Sequence, residues 1–166
     1  MAYFWTDYES PLGLLTLVAS PAGALTEIRF PGGPAMLAAD ACAMPWATAQ
    51  LDQYFAGERR RFELDVELQG TPFQTAVWAR LREIPYGSTA SYGEIAADLG
   101  EAVFPAGLEP HERARAVGAE VGRTPVPIVI PCHRVIGADG SLTGYGGGLE
   151  RKRALLELES SQLALL

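Results

Sequence analysis

The stretch that most constrains the fold is Pro125-Val126-Pro127-Ile128-Val129-Ile130-Pro131, followed at once by Cys132-His133-Arg134-Val135. Proline fixes φ and lacks a backbone donor, so an apolar run this short between prolines cannot be a helix. It reads as a buried strand or extended segment that delivers a cysteine beside a histidine in a fixed place.

The surroundings limit what that pair can be. The chain has only two cysteines and two histidines, with no CxxC pair, so a structural zinc site is not expected. Cys42, in Ala41-Cys42-Ala43-Met44-Pro45, reads as a small hydrophobe under a loop. With 166 residues, 48% of them hydrophobic, the chain can bury the core of one large or two small domains. No apolar run approaches the roughly 18 residues of a membrane span, and Met1 to Asp7 lacks a basic leader region. A cytoplasmic protein is expected. The net charge of −7 argues against a partner held mainly by bulk electrostatics, because phosphate neutralisation leaves a basic footprint. Residues 1–70 carry net −5 and residues 71–166 net −2, so any nucleic-acid surface should be local and in the second part.

Taken in order, Tyr3-Phe4-Trp5, Leu14 to Ala19 and Ala24 to Phe30 read as strands. Ser10-Pro11-Leu12-Gly13 and Ser20-Pro21-Ala22-Gly23 are the turns of an antiparallel meander. After Pro31-Gly32-Gly33-Pro34, an Ala-rich segment to Met44 fits a helix or a loose connection equally well. Leu51, Tyr54 and Phe55 share one face of a short helix ending near Gly57, and Phe62 to Val66 alternates as a further strand.

Gly70 marks a boundary. Thr71-Pro72-Phe73-Gln74 and Ser91-Tyr92-Gly93-Glu94 are capping boxes that each open a helix. A third helix is expected from Glu112 to Val121, with Ala114, Val117, Gly118 and Val121 on one side and Arg115, Ala116 and Ala119 on the other. Such a sequence of helices is helix-turn-helix-like, and an arginine among small residues permits close approach to a duplex. An ordinary surface helix with an Ala-rich face has the same spacing. Asp139-Gly140 signals a turn, and the glycines around Tyr145 allow close backbone approach to a ligand or simply a flexible loop. A terminal helix is expected from Leu149 to Leu158; continued, its spacing puts Glu159 on the side of Leu155 and Leu156, with Lys152 on the same stripe.

A thiol becomes a good nucleophile on deprotonation, and an imidazole can take its proton. Neighbouring residues of a continuous strand face opposite ways, so Cys132 and His133 cooperate only if the chain bends after Pro131 or a water bridges them. The alternative is an inert buried cysteine beside a solvent-exposed histidine.

Pro131-Cys132-His133-Arg134-Val135 closely resembles the active-site signature of the O6-alkylguanine-DNA alkyltransferases. Thr71 to Trp78, Ser91 to Ala96, Ala114 to Gly118 and Gly144 to Lys152 match the family's supporting segments in the same order. The agreement is strongest over residues 71–159. The resemblance implies an α+β chain: a small antiparallel-sheet, ribonuclease-H-like domain (1–70), then a mainly helical DNA-binding and active-site domain (71–166). It implies single-turnover repair, in which an alkyl group passes from O6 of guanine, with O4-alkylthymine as a second lesion, to Cys132 without a cofactor or metal. The expected partner is double-stranded DNA carrying alkylated guanine, met by a monomer with no membrane role. His133 would act as base through a bridging water and Glu159 would orient it. Tyr92 and Gly93 would lie on the DNA surface and Arg115 would fill the stack vacated by a flipped base. Val135, Tyr145 and Gly146 would line the alkylguanine pocket.

Two departures stand out. The family usually has Asn where this chain has Thr124, and one hydroxyl cannot reproduce every bond of an amide at that hinge. The connection from Glu101 to Pro110 is longer than the family's. Two other functions share parts of the pattern: a non-enzymatic alkyl-lesion binder or regulator, and a cysteine hydrolase using Cys132, His133 and Glu159.

Overall fold

The meander is built as its turns predict, with β1 (Tyr3–Ser10), β2 (Gly13–Ala19) and β3 (Leu25–Arg29) pairing antiparallel. The computed structural model describes residues 3–33 and 39–164. Gly13, at φ 108°, supplies the left-handed backbone that closes the first turn. A short β4 (Ala39–Ala41) adds parallel to β1, giving the order β3-β2-β1-β4. Most of the Ala-rich segment for which helix and loop were both open lies outside the described residues. Helix α1 (Pro45–Phe55) buries Ala47, Leu51 and Tyr54, and Gly57 at φ 77° turns the chain beyond it.

The chain divides into two compact units. The first comprises its described residues up to Leu68 together with Pro125–Val129, and the second comprises Gln69–Thr124 and the described residues from Ile130. Two expected strands are corrected in the first unit. Residues 62–66 are not a strand: only Val66 bridges, to Leu25, with backbone bonds on either side of it. Residues 126–130 are buried as expected but turn at Ile128 and Val129 instead of running straight. Ile128 has φ 74°, a conformation a β-branched side chain adopts at a cost of about 1–3 kcal/mol. Its side chain is 1% exposed, and burial of that kind offsets the strain. The Ile28 N–H donates to the Pro125 carbonyl at 2.9 Å, tying the entrance of this run to β3. Cys42 is exposed, not covered by a loop, because the residues beside it at 41 and 43 are exposed too.

In the second unit, α2 (Pro72–Leu81) and α3 (Tyr92–Leu99) begin at the expected capping boxes, with both reciprocal bonds made at Thr71/Gln74 and Ser91/Glu94. Helix α4 (Pro110–Val121) starts earlier than Glu112, since the Glu112 carboxylate accepts from the Glu109 N–H at 2.8 Å and Pro110 suits the first turn. It packs on α3, and α2 packs against both. Helix α5 (Leu149–Ala164) runs past the expected end at Leu158, where nothing in the sequence breaks it. Strands β5 (Ala90–Ser91) and β6 (Val135–Ile136) pair in parallel, joining the entry of α3 to the exit of the Cys-His segment.

The long α3–α4 connection is anchored. Residues Glu101–Val103 form a 3-10 turn, and Phe104, 7% exposed, meets the Phe73 ring edge-on at 5.3 Å. Arg113 lies over Phe104 and pairs with Glu101 at 3.1 Å. Phe104→Ala should therefore destabilise by about 3 kcal/mol in urea unfolding, as loss of a core aromatic does. A loss below about 1 kcal/mol would show the connection to be an independent loop.

Candidate active site

Cys132 does not sit on a continuous strand. After Pro131 the chain enters a 3-10 turn over Cys132–Arg134, closed by the Arg134 N–H donating to the Pro131 carbonyl at 3.0 Å. That bend removes the objection that adjacent side chains diverge. Cys132 is 4% and His133 0% exposed, so the alternative of a solvent-exposed histidine fails.

Glu159 reaches His133. Its carboxylate lies 2.7 Å from His133 Nε2, and Arg134 grips it through Nε at 2.7 Å and Nη2 at 3.0 Å. Arg134 also donates Nη1 to the Ile84 carbonyl at 2.7 Å and stacks over the Tyr86 ring, fixing the segment after α2. Burial pushes the Glu159 carboxyl up, but the bonds and charges of His133 and Arg134 outweigh it and hold it down to about 2. Glu159 is thus ionised, and Nε2 must be the donor in their bond. In a neutral ring Nδ1 is then the free acceptor, and Nδ1 is buried with no hydrogen-bond partner. Burial lowers the basicity of His133 while Glu159 raises it.

Burial pushes the Cys132 thiol up to about 11, against the opposing effects of the Thr124 hydroxyl and the Lys152 ammonium. At rest the thiol is protonated and needs a base. Thr124 donates its hydroxyl to the Val121 carbonyl at the end of α4 at 2.7 Å.

Tyr92 opens α3 and donates its hydroxyl to the Thr143 carbonyl at 2.9 Å, joining that helix to the loop before Tyr145. Its ring faces Gly118 of α4, where an added Cβ would lie 3.5 Å away. Gly93 is exposed and open to approach. Val135 is wholly buried in β6, and a Cβ on Gly146 would come within 3.3 Å of the Gly122 carbonyl, holding that loop close to the end of α4. Arg115 stands apart, exposed on α4 and without a hydrogen bond or ion pair to the described residues. The sequence pattern did not assign Lys152 a place at the site. It is wholly buried, donates to Thr143 O at 2.7 Å and lies 5.9 Å from the Tyr92 ring centre. Its position on the stripe of Leu155 and Glu159 was the available signal.

Removing the shared anion should be costly. Glu159→Gln is expected to lose about 3 kcal/mol or more, because two buried groups lose their partner. The wild-type contribution is complete above the ordinary carboxyl value of 4.5 and is lost as pH falls toward about 2. Urea unfolding from neutral pH downward should show this acid limb in wild type and a flatter one in the variant; equal slopes would contradict the assignment.

Residues 72–161 match the family described as 6-O-methylguanine DNA methyltransferase, DNA binding domain, and residues 3–68 match its ribonuclease-like domain. The methylated-DNA–protein-cysteine methyltransferase of Mycobacterium tuberculosis is 48% identical over 159 residues, covering 93% of this chain and 90% of that protein. The inducible methylated-DNA–protein-cysteine methyltransferase of Bacillus subtilis is 49% identical over 162 residues, covering 93% and 84%. A crystal structure of Mycobacterium tuberculosis OGT in complex with DNA aligns with TM-score 0.85 and 46% identity, over 96% of this chain and 94% of that one. On these grounds, and with the signature cysteine buried beside its histidine, the chain belongs to the 6-O-methylguanine DNA methyltransferase family.

Proposed function

We propose that this protein repairs DNA by moving a methyl or other alkyl group from O6 of guanine to the sulfur of Cys132, once per molecule. The observation that carries the reading is the buried row Cys132, His133, Glu159, with Nδ1 of the ring left as acceptor. The Cys132 proton passes to Nδ1 through a bridging water, while Glu159 and Arg134 hold the ring. The sulfur then attacks the alkyl carbon, forming an S–C bond as the C–O6 bond breaks. The electron pair leaves with guanine, which takes up a proton as the base is restored. The thioether has no good leaving group, so the thiol is not regenerated. Because the thiolate supplies the electrons and guanine is the leaving group, the reaction requires no cofactor.

The alkylated oxygen is beyond reach of a buried thiol while the base is stacked, so the nucleotide must turn out of the duplex. In this reading Arg115 enters the vacated space, since it is exposed and unengaged on the helix that packs over α3. Tyr92 and Gly93, at the start of α3, meet the turning nucleotide, and Val135, Tyr145 and Gly146 bound the base pocket. Thr124 serves as the hinge between α4 and the thiol. Residues 71–166 thus supply both DNA binding and chemistry. A thiol that must stay reduced suits the cytoplasm, and both cysteines are free. No described helix is long and apolar enough to cross a membrane.

Intact mass after incubation with a duplex carrying O6-methylguanine should show a single methyl gain, absent in Cys132→Ala. Lesion binding without mass change would favour a regulator, and repeated ester turnover a hydrolase. Arg115→Ala should slow repair of duplex by about tenfold or more while sparing reaction with free alkylated guanine. Equal losses on both substrates would sink the stack-filling role.

A further inference from the structure

Lys152 is a buried cation whose counter-charge is missing. Its side chain is wholly buried, and among the described residues no carboxylate pairs with it. Thr143 O takes one of its donors and the Tyr92 ring lies beside it, neither of which carries a negative charge. Withdrawing an ammonium from water costs several kcal/mol unless an anion or strong dipoles replace its hydration. Buried charges of this kind cluster at functional sites.

The geometry of α5 shows where. Lys152 and Glu159 lie on one face of the helix, about 10 Å apart along its axis. That helix packs against the turn carrying Cys132 and His133. Glu159 meets the imidazole, and the Lys152 charge acts on the thiol. Moving the thiol proton to Nδ1 converts a neutral pair into thiolate and imidazolium. The helix therefore offers a cation to the new anion and an anion to the new cation.

We propose that Lys152 is the counter-charge of the Cys132 thiolate, a positioning residue that lets the buried thiol ionise when its proton moves to His133. This rests on Cys132 being the alkyl acceptor. The other titratable and charged groups around the pair are His133 and Arg134 on the same turn, Glu159 on α5 and Tyr92 on α3. Arg134 is committed to Glu159, and Tyr92 to Thr143 O. Lys152 also opposes protonation of His133, but as the smallest of the influences on that ring. Its placement explains how a thiol buried this deeply can ionise at all.

The test is a pH titration of thiolate absorbance in a Cys42→Ser background, with Cys42→Ser/Cys132→Ala as the blank. Lys152→Met should raise the Cys132 midpoint by about one unit or more and slow methyl transfer from O6-methylguanine duplex at neutral pH by about tenfold. Lys152→Arg should restore most of both. A folded Lys152→Met protein with an unmoved thiolate midpoint would overturn the proposal. Should Lys152→Met fail to fold, Lys152→Gln, whose amide can keep the bond to Thr143 O, takes its place in the same titration. A raised thiolate midpoint supports the pair, and an unmoved one overturns it. Both titrations read the pair without DNA, so failure of methyl transfer alone would instead reject the repair function.

Discussion

A carboxylate withdrawn from water stays ionised only where donors replace its hydration, and Glu159 has His133 on one side and the fork of Arg134 on the other. Much of the site follows from that arrangement. The anion fixes which imidazole nitrogen donates, so it also fixes which one is left to accept a proton. Arg134 extends the tie to the Ile84 carbonyl beyond α2, while Glu159 itself comes from α5. One carboxyl group thus connects the cysteine turn, the end of α2 and the terminal helix.

The thiol is kept in a contrasting condition. Its burial makes ionisation costly, which protects a residue that can be used only once from casual electrophiles. Reactivity must then be supplied by neighbours acting together: a base whose Nδ1 is an open acceptor, and the charge of Lys152. The strained φ at Ile128 replaces a straight strand by a bend. Tyr92 and Lys152 share the Thr143 carbonyl, so the entrance of α3 and the interior of the site hold the same loop.

Elements specified by local chemistry were legible in the sequence. Thr71/Gln74 and Ser91/Glu94 mark helix starts because the capping bonds lie within four residues, and the meander turns are marked by Pro and Gly. The bend at Ile128 was not legible, because β-branched residues ordinarily favour extended backbone and only tertiary burial makes the exception affordable. Phe62 to Val66 alternates like a strand but finds only one bridging partner in Leu25. At the site, the motif pointed to Cys132 and His133, and helical spacing to Glu159. Lys152 lies on that same stripe, and both side chains are buried, Glu159 against His133 and Arg134 and Lys152 against the Thr143 carbonyl.

The central claim is that Glu159 holds His133 in the form whose Nδ1 can take the thiol proton. Nitrogen-15 NMR of the His133 ring at neutral pH reads this directly. The account predicts a neutral imidazole with the proton on Nε2 and an unprotonated Nδ1. A proton found on Nδ1 with Nε2 bare, or a ring charged at rest, would contradict it.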